Sequence, residues 1–210
     1  MKRRTSWISL TAVGLILSVA LYGCATLSGL MNLGKLQFKL ANVNGFRLNG
    51  VDVSRIASRG QIGPMDVLAI GSAVAQKRLP VDFTLNVDVK NPNSGANGAQ
   101  ATPLYLNKIA WTLLIDDRTT INGVTNQNLQ IPGNGQTMTL PITMSLDLYK
   151  FFSDRGLDDL LNLALAIGGN QGSSSRLKMT ARITATVPGT NIPITYPGDI
   201  TIINQGFSNP

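Results

Sequence analysis

The residues that could do chemistry come down to one cysteine, Cys24, and eleven acids, every one of them Asp; the 210-residue chain has neither His nor Glu. Without an imidazole there is no Ser-His-Asp or Cys-His nucleophile and no H-E-x-x-H zinc site, and no side chain is naturally poised near neutral pH to act as a base. Adjacent carboxylates occur at Asp116-Asp117 and Asp158-Asp159, and paired carboxylates can perform acid–base or glycosidic work. Neighbours on a strand point to opposite sides, so the first pair reads as a strand-end turn. The second suits a helix N-terminus, where the backbone dipole favours negative charge. Gly133-Asn134-Gly135 opens like a dinucleotide fingerprint but has Met138 in place of the third Gly, and Pro132 marks a loop. No P-loop, nucleophile elbow or D-x-D-x-D-G spacing is present. The expectation is a protein without catalytic residues, metal, cofactor or small-molecule substrate.

Charged residues make up 14% of the chain, against about 25% in an average domain, and the net charge is +7. Lys2, Arg3 and Arg4 supply three of those charges from the N-terminal segment. Beyond it the longest basic run is Lys77-Arg78, with no interleaved aromatics, so nucleic acid is not an expected partner.

The N-terminus has the pattern of a secretory signal: the basic start, an apolar stretch from Trp7 to Tyr22, then Gly23-Cys24. Sixteen residues interrupted by Ser9, Thr11, Gly14 and Ser18 fall short of the ~20 that a spanning helix needs. Leu21-Tyr22-Gly23-Cys24 resembles the lipobox of bacterial lipoproteins, with Tyr22 where that family has a small residue. The resemblance implies cleavage before Cys24 and lipidation of its thiol and amine, giving a membrane anchor. A lone Cys in an exported chain fits such a role, because exported proteins otherwise use Cys in disulfide pairs. The plain alternative is an apolar residue in an uncleaved helix. Ala25 is not the Asp that retains many lipoproteins at the inner membrane, so the implied address is the bacterial outer membrane, facing the periplasm.

A signal over residues 1–23, a tether over 24–35 and one domain over 36–207 follow. Alternation with a period of two dominates that domain. Leu79–Lys90 points Val81, Phe83, Leu85, Val87 and Val89 to one side; Gln136–Leu148 and Arg176–Val187 alternate as regularly. Pro141 cannot donate a ladder hydrogen bond, which predicts an edge strand or bulge. Tyr105–Asp116, apolar on both sides near its end, predicts a central strand. Less regular strands are expected at Leu36–Leu40, Phe46–Val53, part of Ile121–Ile131 and Ile192–Ile203, with five Asn-Gly pairs, such as Asn44-Gly45 and Asn122-Gly123, supplying turns or bulges. The outward Thr residues, among them Thr139, Thr143, Thr180 and Thr184, fit β propensity. Two stretches look helical: Met65–Arg78, with Pro64 at its start and Lys77-Arg78 in its last turn, and Leu157–Ile167, stopped by Gly168-Gly169. Seven to eight strands with one solvated side each call for two packed sheets or a barrel, and the sandwich is preferred.

The strand ending Val87-Asp88-Val89-Lys90 runs into Asn91-Pro92-Asn93. With the Tyr105–Ile115 strand, the Leu140-Pro141-Ile142 edge strand, the helix near Asp158–Ile167 and the strand from Arg176, this order resembles group 2 late embryogenesis abundant (LEA) proteins and their water-stress-and-hypersensitive-response (WHy) domain, over roughly residues 79–187. The resemblance implies an all-β, antiparallel immunoglobulin- or fibronectin-III-like sandwich with two short helices, and a non-enzymatic stress-protective or macromolecule-binding role. Its partners would be the membrane through Cys24 and client or envelope proteins. Residues 55–78 stand outside that pattern as an insertion. Pro92 fixes φ and the flanking Asn side chains bond their own backbone, so Asn91, Pro92 and Asn93 are expected to end the strand and turn the chain rather than bind a ligand.

Overall fold

The computed structural model describes residues 30–53, 63–92, 101–167, 176–186 and 192–206. Cys24, Asn93, Asn97-Gly98 and the loop 169–175 lie outside the described residues, as does the tail from residue 207. The strands are β1 (Gln37–Leu48), β2 (Val51–Asp52), β3 (Pro80–Lys90), β4 (Leu104–Ile115), β5 (Arg118–Ile131), β6 (Thr137–Asp147), β7 (Arg176–Thr186), β8 (Pro193–Thr195) and β9 (Ile200–Gly206). Helix α1 (Pro64–Ala75) joins β2 to β3, and α2 (Leu148–Phe152) and α3 (Leu157–Ile167) join β6 to β7.

Every pairing is antiparallel. One sheet runs β2-β1-β3-β6; the other runs β5-β4-β7, with β8 and β9 both on the far side of β7. The two sheets enclose one apolar core, an all-β sandwich as the alternation requires. The five apolar residues named for β3 are buried, opposed by core residues of β4 such as Ile109, Trp111 and Leu113 and of β7 such as Met179 and Ile183. A one-residue slip of β3 would put Asp82 and Asp88 in the core, which fixes its register. Pro141 lies on β6, an outer strand, and β4 is central between β5 and β7.

Several elements differ from the sequence expectation. Among the described residues the strands number nine, where seven or eight were expected. The expected Ile192–Ile203 strand is broken into β8 and β9, because the chain inserts two extra residues between Thr195 and Ile200 relative to Thr184 and Ala181 on β7. The expected Leu36–Leu40 and Phe46–Val53 strands are instead a continuous β1 plus the short β2. Asn44-Gly45 does not turn the chain: Gly45, at φ +61°, takes up a bulge, and the reversal falls at Asn49-Gly50, at φ +48° and +81°. Asn122-Gly123 likewise lies inside β5. Helix α1 stops at Ala75, and Lys77 adopts φ +57°, so Lys77-Arg78 follow the helix instead of occupying its last turn. Helix α2 and a helical turn at 30–34 add to the two helices expected. Beyond Leu146 the alternation continues only by chance, because Asp147 caps a new helix by accepting from Tyr149 N. The outer side of β4 is half-buried at Thr112 and Leu114.

The strand directions give the sandwich two ends. At one lie the start of β1, the Asn91-Pro92 turn and the β5–β6 loop. At the other lie the three helices and the β1–β2 and β4–β5 turns.

Candidate functional site

At the first end Asn91 follows directly on β3 and is wholly buried; its Nδ2 donates to the carbonyl of Thr102 at 3.0 Å. Gly133 lies against the same segment: a Cβ there would stand 2.6 Å from Thr102 N and 2.8 Å from Ala101 C. Backbone cannot rotate aside as a side chain can, so only glycine fits at 133. The β3 turn, the approach to β4 and the β5–β6 loop are thereby locked together. Pro92 is half-buried beside them. Of the residues named from the motif, Asn91 and Pro92 directly follow β3 and Asn93 is outside the described residues.

Two of the carboxylates, Asp116 and Asp154, are paired with arginines at the helical end. Asp116 and Asp117 form the β4–β5 turn, both with positive φ, and Asp116 pairs with Arg155 at 2.7 Å. Arg118 grips Asp154 with two hydrogen bonds of 3.0 and 2.8 Å and also donates to Phe151 O. That contact holds the Asp154 carboxyl below its ordinary value of 3.8 and raises the Arg118 guanidinium. Both guanidiniums lie over the buried Phe152 ring, at 5.5 Å for Arg118 and 4.9 Å for Arg155. This cluster clamps α2 over the β4–β5 turn. Asp158 and Asp159 sit exposed in the first turn of α3. Among the described residues no three of Cys and Asp gather as metal ligands, and no buried side-chain nitrogen or oxygen is left without a hydrogen bond.

The outer side of the five-stranded sheet carries a shallow concavity of about 360 Å³, floored by Ala110, Asn122 and Gly123 and rimmed by Val124 and the Arg182–Asp199 ion pair. Ala110 presents only a methyl group to its floor. Gly123 is confined from the core side: a Cβ there would stand 2.8 Å from Cε2 and Cη2 of Trp111, which is held in place by its Nε1–H donating to Thr125 Oγ1 at 3.1 Å. The sequence offered a strand over part of Ile121–Ile131 and a turn or bulge at Asn122-Gly123, and neither reading shows that this stretch borders Ala110 and Arg182.

At the helical end the outer side of α1 is unusual. Met65, Val67 and Leu68 are 76%, 55% and 65% exposed, three of the six large apolar residues so exposed among the described ones. Its inner side, with Ile70 and Ala73, is buried, and Asn49 Nδ2 donates to Ala69 O to hold it. The near absence of charge over 64–75 is legible in the sequence, but not that this surface faces outward.

No family model matches the sequence, and no curated protein does. Solved structures similar to it include a protein from Archaeoglobus fulgidus, at 11% identity over 62% of this chain and 86% of that one, with a TM-score of 0.35. A protein assigned provisionally as late embryogenesis abundant is 18% identical over 59% of this chain, which spans 62% of that one, with a TM-score of 0.30. A third, from Arabidopsis thaliana, is 20% identical over 60% of this chain and 72% of that one, with a TM-score of 0.26. At these identities the likeness concerns fold alone. The class defined by the strand pairing is the antiparallel β-sandwich.

Proposed function

We propose that the chain is a lipid-anchored, non-catalytic envelope protein of the LEA type 2 kind, tethered through Cys24 and acting by contact with other macromolecules under desiccation or osmotic stress. The observation that carries the reading is an alternating strand ending in Asn91-Pro92 within an antiparallel sandwich, downstream of a signal-like segment whose lone Cys follows Leu21-Tyr22-Gly23. Contact over turnover is supported by the carboxylates whose partners are described: Asp116, Asp154 and Asp199 pair with arginines, Asp147 accepts from two backbone N–H groups and Asp88 accepts from the Thr139 hydroxyl. No described helix is long and apolar enough to cross a membrane; in this reading the anchor is acylation of Cys24. Two acyl signals suffice for stable attachment where one chain binds reversibly.

Intact-mass measurement of the chain from membranes tests the anchor: a species starting at Cys24 with added lipid is expected, and an unmodified Met1 terminus refutes it. Deleting the protein is expected to lower survival of drying, and the purified full chain to suppress aggregation of a dried client enzyme; unchanged survival together with no protection refutes the protective role. The exposed apolar side of α1 favours a second reading, a structural subunit docked on an envelope partner. Stoichiometric co-purification with one protein, lost in Leu68→Ser, would support it.

A further inference from the structure

The two ends of the sandwich differ in charge. In the half nearer the Asn91-Pro92 turn lie Lys35, Lys39, Lys90 and Lys108, all exposed. Asp88 is the acid they share that half with among the described residues, and it accepts from Thr139 Oγ1. The connecting segments 91–103, 132–136 and 187–192 contain no charged residue of either sign. Arg182 and Asp199, near mid-height, cancel as an ion pair. The other nine aspartates belong to the helical half, where basic residues roughly balance them.

The lysine-bearing end is also where the chain arrives from its N-terminus. β1 starts at Gln37, paired with Lys90; Leu33 is buried just before it, and Gly34 lies beside Tyr196. The six links from Cys24 to Leu30 span at most about 21 Å. The strands are longer: the 11 residues of β3 rise about 33 Å. An anchor at Cys24 therefore holds this end, and not the helical end, within reach of the bilayer. Positive charge placed within a screening length of about 8–10 Å of an anionic surface is attracted to it.

We propose that the Lys35/Lys39/Lys90/Lys108 end of the sandwich docks on an anionic phospholipid surface, which points the apolar side of α1 away from that membrane. The direction of approach rests on the reading of Cys24 as the lipid anchor; the charge distribution does not. The test uses the full chain purified from membranes and placed on phosphatidylglycerol–phosphatidylcholine vesicles carrying head-group spin-labelled lipid. A fluorophore is attached either at Gln136→Cys, in the β5–β6 loop, or at Ser153→Cys, at the helical end; acylation would block the Cys24 thiol, and intact mass reports whether it has.

Quenching of the label at 136 but not of that at 153 is expected. It should weaken on pure phosphatidylcholine, and weaken again at about 1 M salt, where screening shortens to about 3 Å. Each lysine near the surface contributes about fivefold to attraction at low salt. The K35Q/K39Q/K90Q/K108Q variant, checked for an unchanged circular dichroism spectrum, should therefore lose most of the anionic-lipid quenching. The salt and lipid series decide the matter without any lysine substitution. Quenching at 153, equal quenching at both sites, or indifference to lipid charge in a chain whose mass shows acylation overturns the docking and leaves the anchor standing. Anion-dependent quenching at 136 in a chain without lipid supports the docking and removes the anchor.

Discussion

Replacing Gly123 by Ala probes how β5 is fastened to the sandwich. At an ordinary strand position with no contact, Gly→Ala stabilises by about 0.4–1 kcal/mol through the unfolded state. Here the added methyl would stand 2.8 Å from two atoms of the Trp111 ring, which is 7% exposed and flanked by core residues. Forcing a methyl into such a site costs about 1–3 kcal/mol. Moving the ring also breaks the Trp111–Thr125 hydrogen bond, another ~1 kcal/mol. The difference is a net loss of about 2 kcal/mol, or roughly 4–8 °C in Tm for a chain of this size. Urea unfolding followed by far-ultraviolet circular dichroism measures it. The ring is the cause if Gly123→Ala costs at least ~1 kcal/mol less in a Trp111→Phe background, where the outer, benzo half of the indole that makes the clash is gone. Additive losses, or a Gly123→Ala protein as stable as the parent, would refute the steric account.

At the opposite margin of the core, Asn91→Ala should cost about 1–3 kcal/mol by removing the buried donor to Thr102 O, and Gly133→Ala a similar amount by displacing residues 101–102; chemical denaturation checks both. Asp147 accepts from Leu79 N at 2.7 Å and Tyr149 N at 3.0 Å, so Asp147→Ala should lose about 1–2 kcal/mol and Asp147→Asn less, as read by thermal unfolding. Asp154 is expected to titrate below 3.8, by carboxyl NMR, and to return towards that value in Arg118→Ala. Because its folded value is depressed, whatever stability the contact supplies is present above the unfolded value and lost as pH falls through the folded one; Asp154→Asn should flatten the stability profile over that acid window.

The long strands were legible because a period of two with one buried side leaves a strong imprint: β3, β6 and β7 each alternate without a break over ten residues or so. Helix α3 was legible to its ends for a different reason, the Asp pair at its start and the Gly pair after it. The role of each Asn-Gly pair was not, because the same dipeptide serves a turn or a bulge: Gly45 takes up a bulge of β1 at positive φ, whereas Asn122-Gly123 lies in regular register within β5. Helix α2 was hidden because Leu148 continues the alternation of β6 in phase, and only the bond from Asp147 to Tyr149 N reveals the change of period. The concavity at Ala110 depends on which strands become neighbours, information that local periodicity does not contain.

Sheet edges bear on where this domain can make contact, since an unguarded edge invites pairing with another chain. On β6 the edge is interrupted by Pro141, which offers no N–H. Along β7 the outer partner is broken between β8 and β9, with Pro193 and Pro197 near the break. β5 carries two register shifts, and its Gln127 reaches across to Pro141 O of the facing sheet at 3.4 Å. β1 is bulged twice, and β2 pairs with its last two residues, Arg47 and Leu48. With each edge interrupted in this way, strand addition is a poor route to a partner, and the chemically distinct surfaces are the two ends. One end presents lysines and uncharged loops; the other presents the apolar side of α1. A tether at Cys24 would assign the first to the bilayer, leaving the second about 33 Å farther out, where only a partner beyond the headgroups could reach it.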